Sequence, residues 1–293
     1  MPSQQSDVQK DDLYATFSEL KRVPVGEKQK LAYEAGKEYL RRYGADSSDP
    51  DVKVVRKFVG EYEAVKAAFA IDTAYGAKNH AKTLEIGRVL LQKQPENFYV
   101  LSVMAQAGYE SSITGDASLN SETVGYAKRA IQLLNDGKVT KADPFKNSDF
   151  ARGFLNFAVG HLLKDQSPVE AADAFLKAVQ SDSPYRTEPL AYHRLGAAIL
   201  KGEFAQLSAE YNAKYGARQS SPQQKAMFDQ INHVIERAID AYARAVALST
   251  TPQQQEAKNK ILAQLTALYK SFHGDSEAGL IELIAGVLAK PLP

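Results

Sequence analysis

The sequence predicts an all-α fold, and three observations carry that reading. Alanine occurs 42 times in 293 residues. Glu, Lys, Gln and Leu, which also favour helices, are plentiful. Alternating β-branched runs, which a half-buried strand needs, are absent. Proline sits at segment edges: Pro95, Pro144, Pro168, Pro184, Pro189, Pro222, Pro252 and Pro291 each fall where a helix would start or stop.

In chain order, residues 1–9 read as a disordered N-terminal tail. Helices are expected near 10–22, 26–43, 51–75, 79–93, 98–110, 120–135, 148–163, 168–181, 188–201, 203–215, 222–249, 253–272 and 276–289. Two starts have a visible mechanism. Ser167 precedes Pro168 at the first helical position and Glu170 follows, a capping-box arrangement. Thr251-Pro252 repeats it with Gln254 in the third place. Most connections are short, so neighbouring helices are expected to form antiparallel hairpins.

Composition excludes several function classes. Lys and Arg total 36 against 35 Asp and Glu, for a net charge of +1. A general nucleic-acid binder carries a strong basic excess instead. With no cysteine, disulfides, thiolate zinc sites, iron–sulfur clusters and cysteine nucleophiles are ruled out. The longest apolar runs are about five residues, such as 67–71, far short of the roughly 18 that span a bilayer. The polar start MPSQQSDVQKDD lacks an apolar signal core and reads as cytoplasmic. Export after removal of an upstream signal peptide is the alternative.

Two internal recurrences organise the chain. Residues 32–46 (AYEAGKEYLRRYGAD) align without gaps on 83–97 (TLEIGRVLLQKQPEN), with Gly36 on Gly87 and Leu40 on Leu91. Ala171, Phe175 and Ala178 recur as Ala238, Tyr242 and Ala245. Small, aromatic, small at these offsets share one helix face, where the alanines admit a neighbouring helix and the ring fills the space beside them.

This last pattern resembles the second helix of the tetratricopeptide repeat. Tyr192, Leu195, Gly196 and Ile199 resemble its first helix. Leu155, Ala158, Val159 and Leu162 give a looser version. Leu262, Leu265, Thr266 and Tyr269, with Ala278 and Ala285, open a last unit. Ala67, Ala70, Ile71 and Ala74 open an early one that closes at Pro95. The resemblance implies a right-handed α-solenoid of about six hairpins. It divides the chain into a degenerate hairpin at 10–50, hairpins at 51–147, the best-matching hairpins at 148–249, and a C-terminal hairpin and cap at 250–293. Ile199 and Ala238 are 39 residues apart, where the repeat expects about 9. The excess implies an insertion near 203–222, with an inserted helix and an extended helix after it.

Candidate chemistry is sparse. Asp229, His233, Glu236 and Asp240 share one helix stripe, a pattern that di-metal bundle sites use. That stripe points away from the apolar stripe of Ile231, Ile235, Ala238 and Tyr242, so a solvated face is expected and no metal or other cofactor. His80, His161, His193 and His273 read as surface or helix-end residues. No nucleophile elbow or phosphate loop is present, and the chain reads as no enzyme. Residues 111–122 (SSITGDASLNSE) read as a hairpin loop with a helix cap near Leu119. Residues 136–147 read as a solvated linker carrying Lys138, Lys141 and Lys146. Tyr39, Phe69, Phe157, Phe175, Tyr192, Tyr242 and Tyr269 fall at helix-packing positions.

The resemblance implies that first-helix residues line a concave groove that holds a protein or peptide partner. Carrying its offsets onto this chain gives Asn156, His193, Arg194, Lys260 and Gln264, a polar, mildly basic set. The fuller Lys/Asn/Lys/Arg set with which the family holds chaperone tails is missing, because Gly160, Ala197 and Ala267 stand where polar residues are needed. The expected function is a non-catalytic interaction scaffold. The alternative is a structural subunit that packs through its edges or convex face.

Overall fold

The computed structural model describes residues 2–22, 26–216 and 221–292, with side chains from residue 8 onward. Residues 1, 23–25, 217–220 and 293 fall in the expected tail, first hairpin, insertion and cap, and lie outside it. Every regular element among the described residues is helical. The chain forms two compact units, residues 1–73 and 74–293.

In the first unit α1 (Pro2–Lys21) packs on α2 (Glu27–Tyr43), and α3 starts at Pro50. Helical backbone thus includes residues 2–9, ahead of the expected start near 10. The core joins Phe17, Tyr33, Tyr39, Val52, Val55 and Val59. Tyr33 stacks on Tyr62 with ring centroids 4.6 Å apart. Phe69 corrects the expectation of a core ring: it is 73% exposed, beside Val65 at 71%. Its neighbours at i+2 and i+5, Ile71 and Ala74, are buried instead, so the helix turns a different face inward.

The second unit contains the end of α3 (Pro50–Gly76), α4 (His80–Lys93), α5 (Phe98–Ile113), α6 (Asn120–Asn135), α7 (Ser148–Leu163), α8 (Pro168–Gln180), α9 (Pro189–Ile199), α10 (Ala205–Lys214), α11 (Pro222–Leu248), α12 (Gln255–Phe272) and α13 (Leu280–Gly286). From α4 to α9 each helix packs on the next, α9 then packs on α11, and α11 on α12. Short polar side chains start these helices. Asn79, Asn97, Asn147 and Ser221 each accept from the main-chain N–H three residues on, at 3.1, 3.1, 2.7 and 3.2 Å. Such a cap contributes about 1 kcal/mol. Gln254 accepts from the N–H groups of Thr250 and Thr251, both at 3.1 Å, as the Thr251 reading expects. The expected Ser167 box does not form: Ser167 makes no side-chain cap bond, and Glu170 is ion-paired with Lys128 on α6.

Within successive helix pairs, glycine sets the distance. A methyl group at Gly160 of α7 would come within 2.8 Å of the Phe175 ring on α8. At Gly196 of α9 it would come within 3.2 Å of the Tyr242 ring on α11. The ring of the second helix therefore fills the space that the first helix leaves open. Gly160 holds this position one residue beyond Val159, where the sequence pattern puts it.

Three further features differ from expectation. The expected break between 201 and 203 is absent. A π-helical turn, Leu200–Phe204, joins α9 to α10 with helical backbone throughout. Gly202 lies against the start of α8, where a methyl group would sit 2.7 Å from the Val169 nitrogen. The connection 136–147 is largely exposed, with Lys138, Lys141 and Lys146 on the surface as expected, but it is anchored at one residue. Phe145 is buried, with ring contacts to Phe98, Phe150 and Phe154 at 6.5, 6.1 and 5.3 Å, and Lys138 pairs with Glu96 at 2.7 Å. The last helix starts at Leu280 rather than 276, after Gly279 in the left-handed region at φ 86°. Beyond it, buried Arg244 bonds Asp240 at 2.5 Å and the carbonyls of Lys290 and Pro291 at 3.1 and 2.8 Å.

Candidate interaction surface

Alternate helices of the second unit bring a set of rings together. Tyr109 on α5 meets Phe154, Phe157 and His161 on α7, with centroids 5.5, 6.1 and 5.2 Å apart. Phe157 continues to Tyr185 at 4.9 Å, in the 3-10 turn that precedes α9. Phe154, Phe157 and His161 recur at three and four residues and so share one face of α7. Phe157 and His161 are buried, whereas Phe154, Tyr109 and Tyr185 keep part of their surface exposed.

His161 is the unusual member. It is only 7% exposed, and its Nε2 has no hydrogen-bond partner. Burial, with Lys164 and Arg194 nearby, lowers its pKa to about 4. It is therefore neutral near pH 7; of the expected alternatives, surface or helix end, it stands at the helix end, in the last turn of α7, and is buried there. The Arg194 charge also acts on Tyr109. Arg194 is half-buried, and its Nε is enclosed without a partner. A buried donor left unpaired costs about 1–3 kcal/mol.

The five expected groove residues fall into four places. Arg194, on α9, acts through its charge on Tyr109 and His161. His193 and Gln264 meet across α9 and α12, with Nε2 and Oε1 3.0 Å apart; the amide oxygen is an acceptor, so Nε2 carries the proton. The His193 ring lies 5.6 Å from Tyr242, and burial lowers its pKa. Lys260 stands apart on an exposed surface and pairs with Glu256 at 2.6 Å.

Asn156 lies on the opposite side of α7 from Phe154 and His161. It is buried and donates to the Arg152 carbonyl at 2.9 Å. There it lines a cleft of about 640 Å³ floored by α7 between α6 and α8. Most of the cleft's charges pair among themselves: Lys128 with Glu170, and Lys177 with Asp173 at 2.7 Å.

The offsets missed Tyr109 and His161. Each follows a glycine that closes on the next helix: Gly108 against Thr123, and Gly160 against Phe175. The Gly-Tyr and Gly-His pairs were the available signal. On the acidic stripe of α11, Glu236 faces His273 at 3.4 Å and Asp240 serves Arg244. Among the described residues, no three His, Asp or Glu side chains are grouped to hold a metal. No described helix is long and apolar enough to cross a membrane.

Comparison with protein-family models, curated proteins and solved structures finds no match to this chain.

Proposed function

We propose that the chain is a non-catalytic scaffold of tetratricopeptide-like hairpins, arranged as a right-handed α-solenoid of about six, that holds a protein or peptide partner. The observation that carries this reading is the run of rings from Tyr109 on α5 through Phe154, Phe157 and His161 on α7 to Tyr185 before α9, with the Arg194 charge on α9 acting on Tyr109 and His161. Stacked hairpins bring first helices side by side in this manner and build an extended surface from them. The close glycine–ring approaches at Gly160 and Gly196 support the same reading, because they repeat one packing rule in two hairpins. Half-exposed Tyr and Arg are the residue types that anchor interfaces.

The test is affinity capture on the wild type and on Arg194→Glu, with circular dichroism to confirm that the variant is folded. Loss of a captured partner with the variant is the expected outcome. A second reading, a structural subunit that packs through another face, is favoured by the exposed Val65 and Phe69 on α3. It predicts a partner, or a self-association, that survives Arg194→Glu and is lost with Val65→Ser/Phe69→Ser. Capture by neither face would argue against both readings.

A further inference from the structure

The cleft floored by α7 between α6 and α8 holds an acceptor that the fold leaves unused. Asn156 is 8% exposed. Its Nδ2 donates to the Arg152 carbonyl at 2.9 Å, and its Oδ1 takes no bond from any described residue. Unlike His161 Nε2 or Arg194 Nε, this oxygen is not enclosed: it opens into the cleft that Asn156 lines. A largely buried acceptor without a donor is costly to the fold and available to a ligand. The rest of the lining narrows what that ligand is. Each charged group is already engaged: Lys128 of α6 with Glu170 of α8, Lys177 with Asp173 at 2.7 Å, and Arg152 with Asp149 at 3.0 Å. A phosphate or carboxylate would have to break one of these pairs. No ring lines the cleft, so a nucleobase or sugar has nothing to stack on. Its apolar part is aliphatic, from Ile131, Val159 and Ala174.

We propose that this cleft binds a short, uncharged, extended peptide segment, with Asn156 Oδ1 accepting one of its main-chain N–H groups and an aliphatic side chain of the segment resting on Ile131, Val159 and Ala174. An extended main chain carries an N–H at every residue, with side chains turned to alternate sides. It therefore brings together the neutral donor and the aliphatic group that this lining lacks. A helical segment does not fit, because beyond its first turn its N–H groups are already bonded. The volume of about 640 Å³ lies in the range of sites that enclose a small ligand, and so takes a few residues of chain. Asn135 and Gln180, exposed members of the lining, add neutral donors and acceptors. This cleft is on the side of α7 away from the rings, and the proposal goes beyond the function assigned to that surface without resting on it.

The experiment selects a displayed random heptapeptide library on the immobilised full chain. Recovered peptides are synthesised with acetylated and amidated ends, so that no terminal charge remains, and in a series with one main-chain nitrogen methylated at a time. Binding to the wild type and to Asn156→Ala is measured by calorimetry, with circular dichroism to confirm that the variant is folded. The expected peptides are uncharged and contain Val, Ile or Leu. Methylation at one position should weaken binding to the wild type about tenfold, as loss of one buried hydrogen bond does. The same methylation should leave binding to Asn156→Ala unchanged. Affinity should hold from about 0.05 to about 0.5 M salt, because no ion pair is formed. A second variant leaves the buried side chain in place. Gln180 is exposed and the chain has no cysteine of its own, so Gln180→Cys carrying a bulky maleimide should block the peptide, and the same label on Lys260→Cys should not. Enrichment in Asp or Glu, methylation effects equal in both proteins, or binding that survives the label at residue 180 would overturn the inference. Peptides lost with Arg194→Glu and kept by Asn156→Ala would overturn it in favour of the ring surface. Recovery of no peptide would overturn it as well and leave the scaffold reading to affinity capture.

Discussion

Two buried ionisable residues do opposite things to stability. Arg244 is 4% exposed and holds a carboxylate and two carbonyls at once. Removing one partner of such a pair leaves the other charge uncompensated, at about 3–5 kcal/mol. Arg244→Met is therefore expected to lower the urea midpoint sharply. The double change Arg244→Met/Asp240→Leu should recover much of the loss, because neither charge then remains. His161 has no such partner. Its pKa falls from the ordinary 6.5 to about 4 in the folded chain, so the unfolded chain takes up the proton first as pH drops. The folded state keeps this contribution above pH 6.5 and loses it as pH falls toward 4. The linked change is on the order of 3 kcal/mol. Subtracting the pH profile of His161→Gln from that of the wild type should leave a sigmoid in this window; a flat difference would show that His161 protonates freely in the fold. Neither role was legible in sequence. A lone His and an Arg on a helix carry no sign of burial, whereas Phe175, Tyr192 and Tyr242 declared their core positions through spacing against small residues. Phe69 had similar spacing and still faces outward, because periodicity identifies a face without identifying the helix that covers it.

At the scale of elements, local chemistry was readable and tertiary choice was not. Starts at Asn120, Ser148, Pro168 and Pro222 match expectation within a residue or so, because caps and prolines act over one turn. The continuous run from α9 through the π-turn to α10 was not readable, since it depends on Gly202 meeting the backbone of Pro168 and Val169. Main chain cannot yield as a flexible side chain can. Gly202→Ala is accordingly expected to destabilise by about 1–3 kcal/mol, as overpacking does. Gly125→Ala, on α6 with open space around it, should stabilise by roughly 0.5–1 kcal/mol. Thermal melts of the two variants test the pair, and equal shifts would refute the contact. Phe145 gives the same lesson for connections: a turn-rich segment with a single ring looked solvated until three other rings were placed around it.

For the molecule as a whole, packing in the second unit runs mainly between neighbours along the chain. Stability in such an arrangement is a sum of local and nearest-neighbour contributions. A disturbance in one pair should therefore fade with distance in sequence. Gly160→Ala, which forces a methyl group into the Phe175 ring, is expected to lower hydrogen-exchange protection most in α7 and α8, less in α6 and α9, and least in α12. Uniform loss from α4 to α12 would instead show one cooperative core. The all-α class and the alanine–aromatic seams were visible from residue spacing alone. The surface around Tyr109 and Arg194 was not, because it draws on helices 85 residues apart.

The π-turn has a mechanical side. Beyond it α10 buries no residue and leans on α11, through Tyr211 against Phe228 and a 3.0 Å bond from Gln224 to the Tyr211 hydroxyl. Ten residues of helix make an arm of about 15 Å. A change of about 10° in direction at Leu200–Phe204 would swing its tip by about 3 Å. A spin label at Lys214 would therefore read any change of direction at Leu200–Phe204 as a displacement.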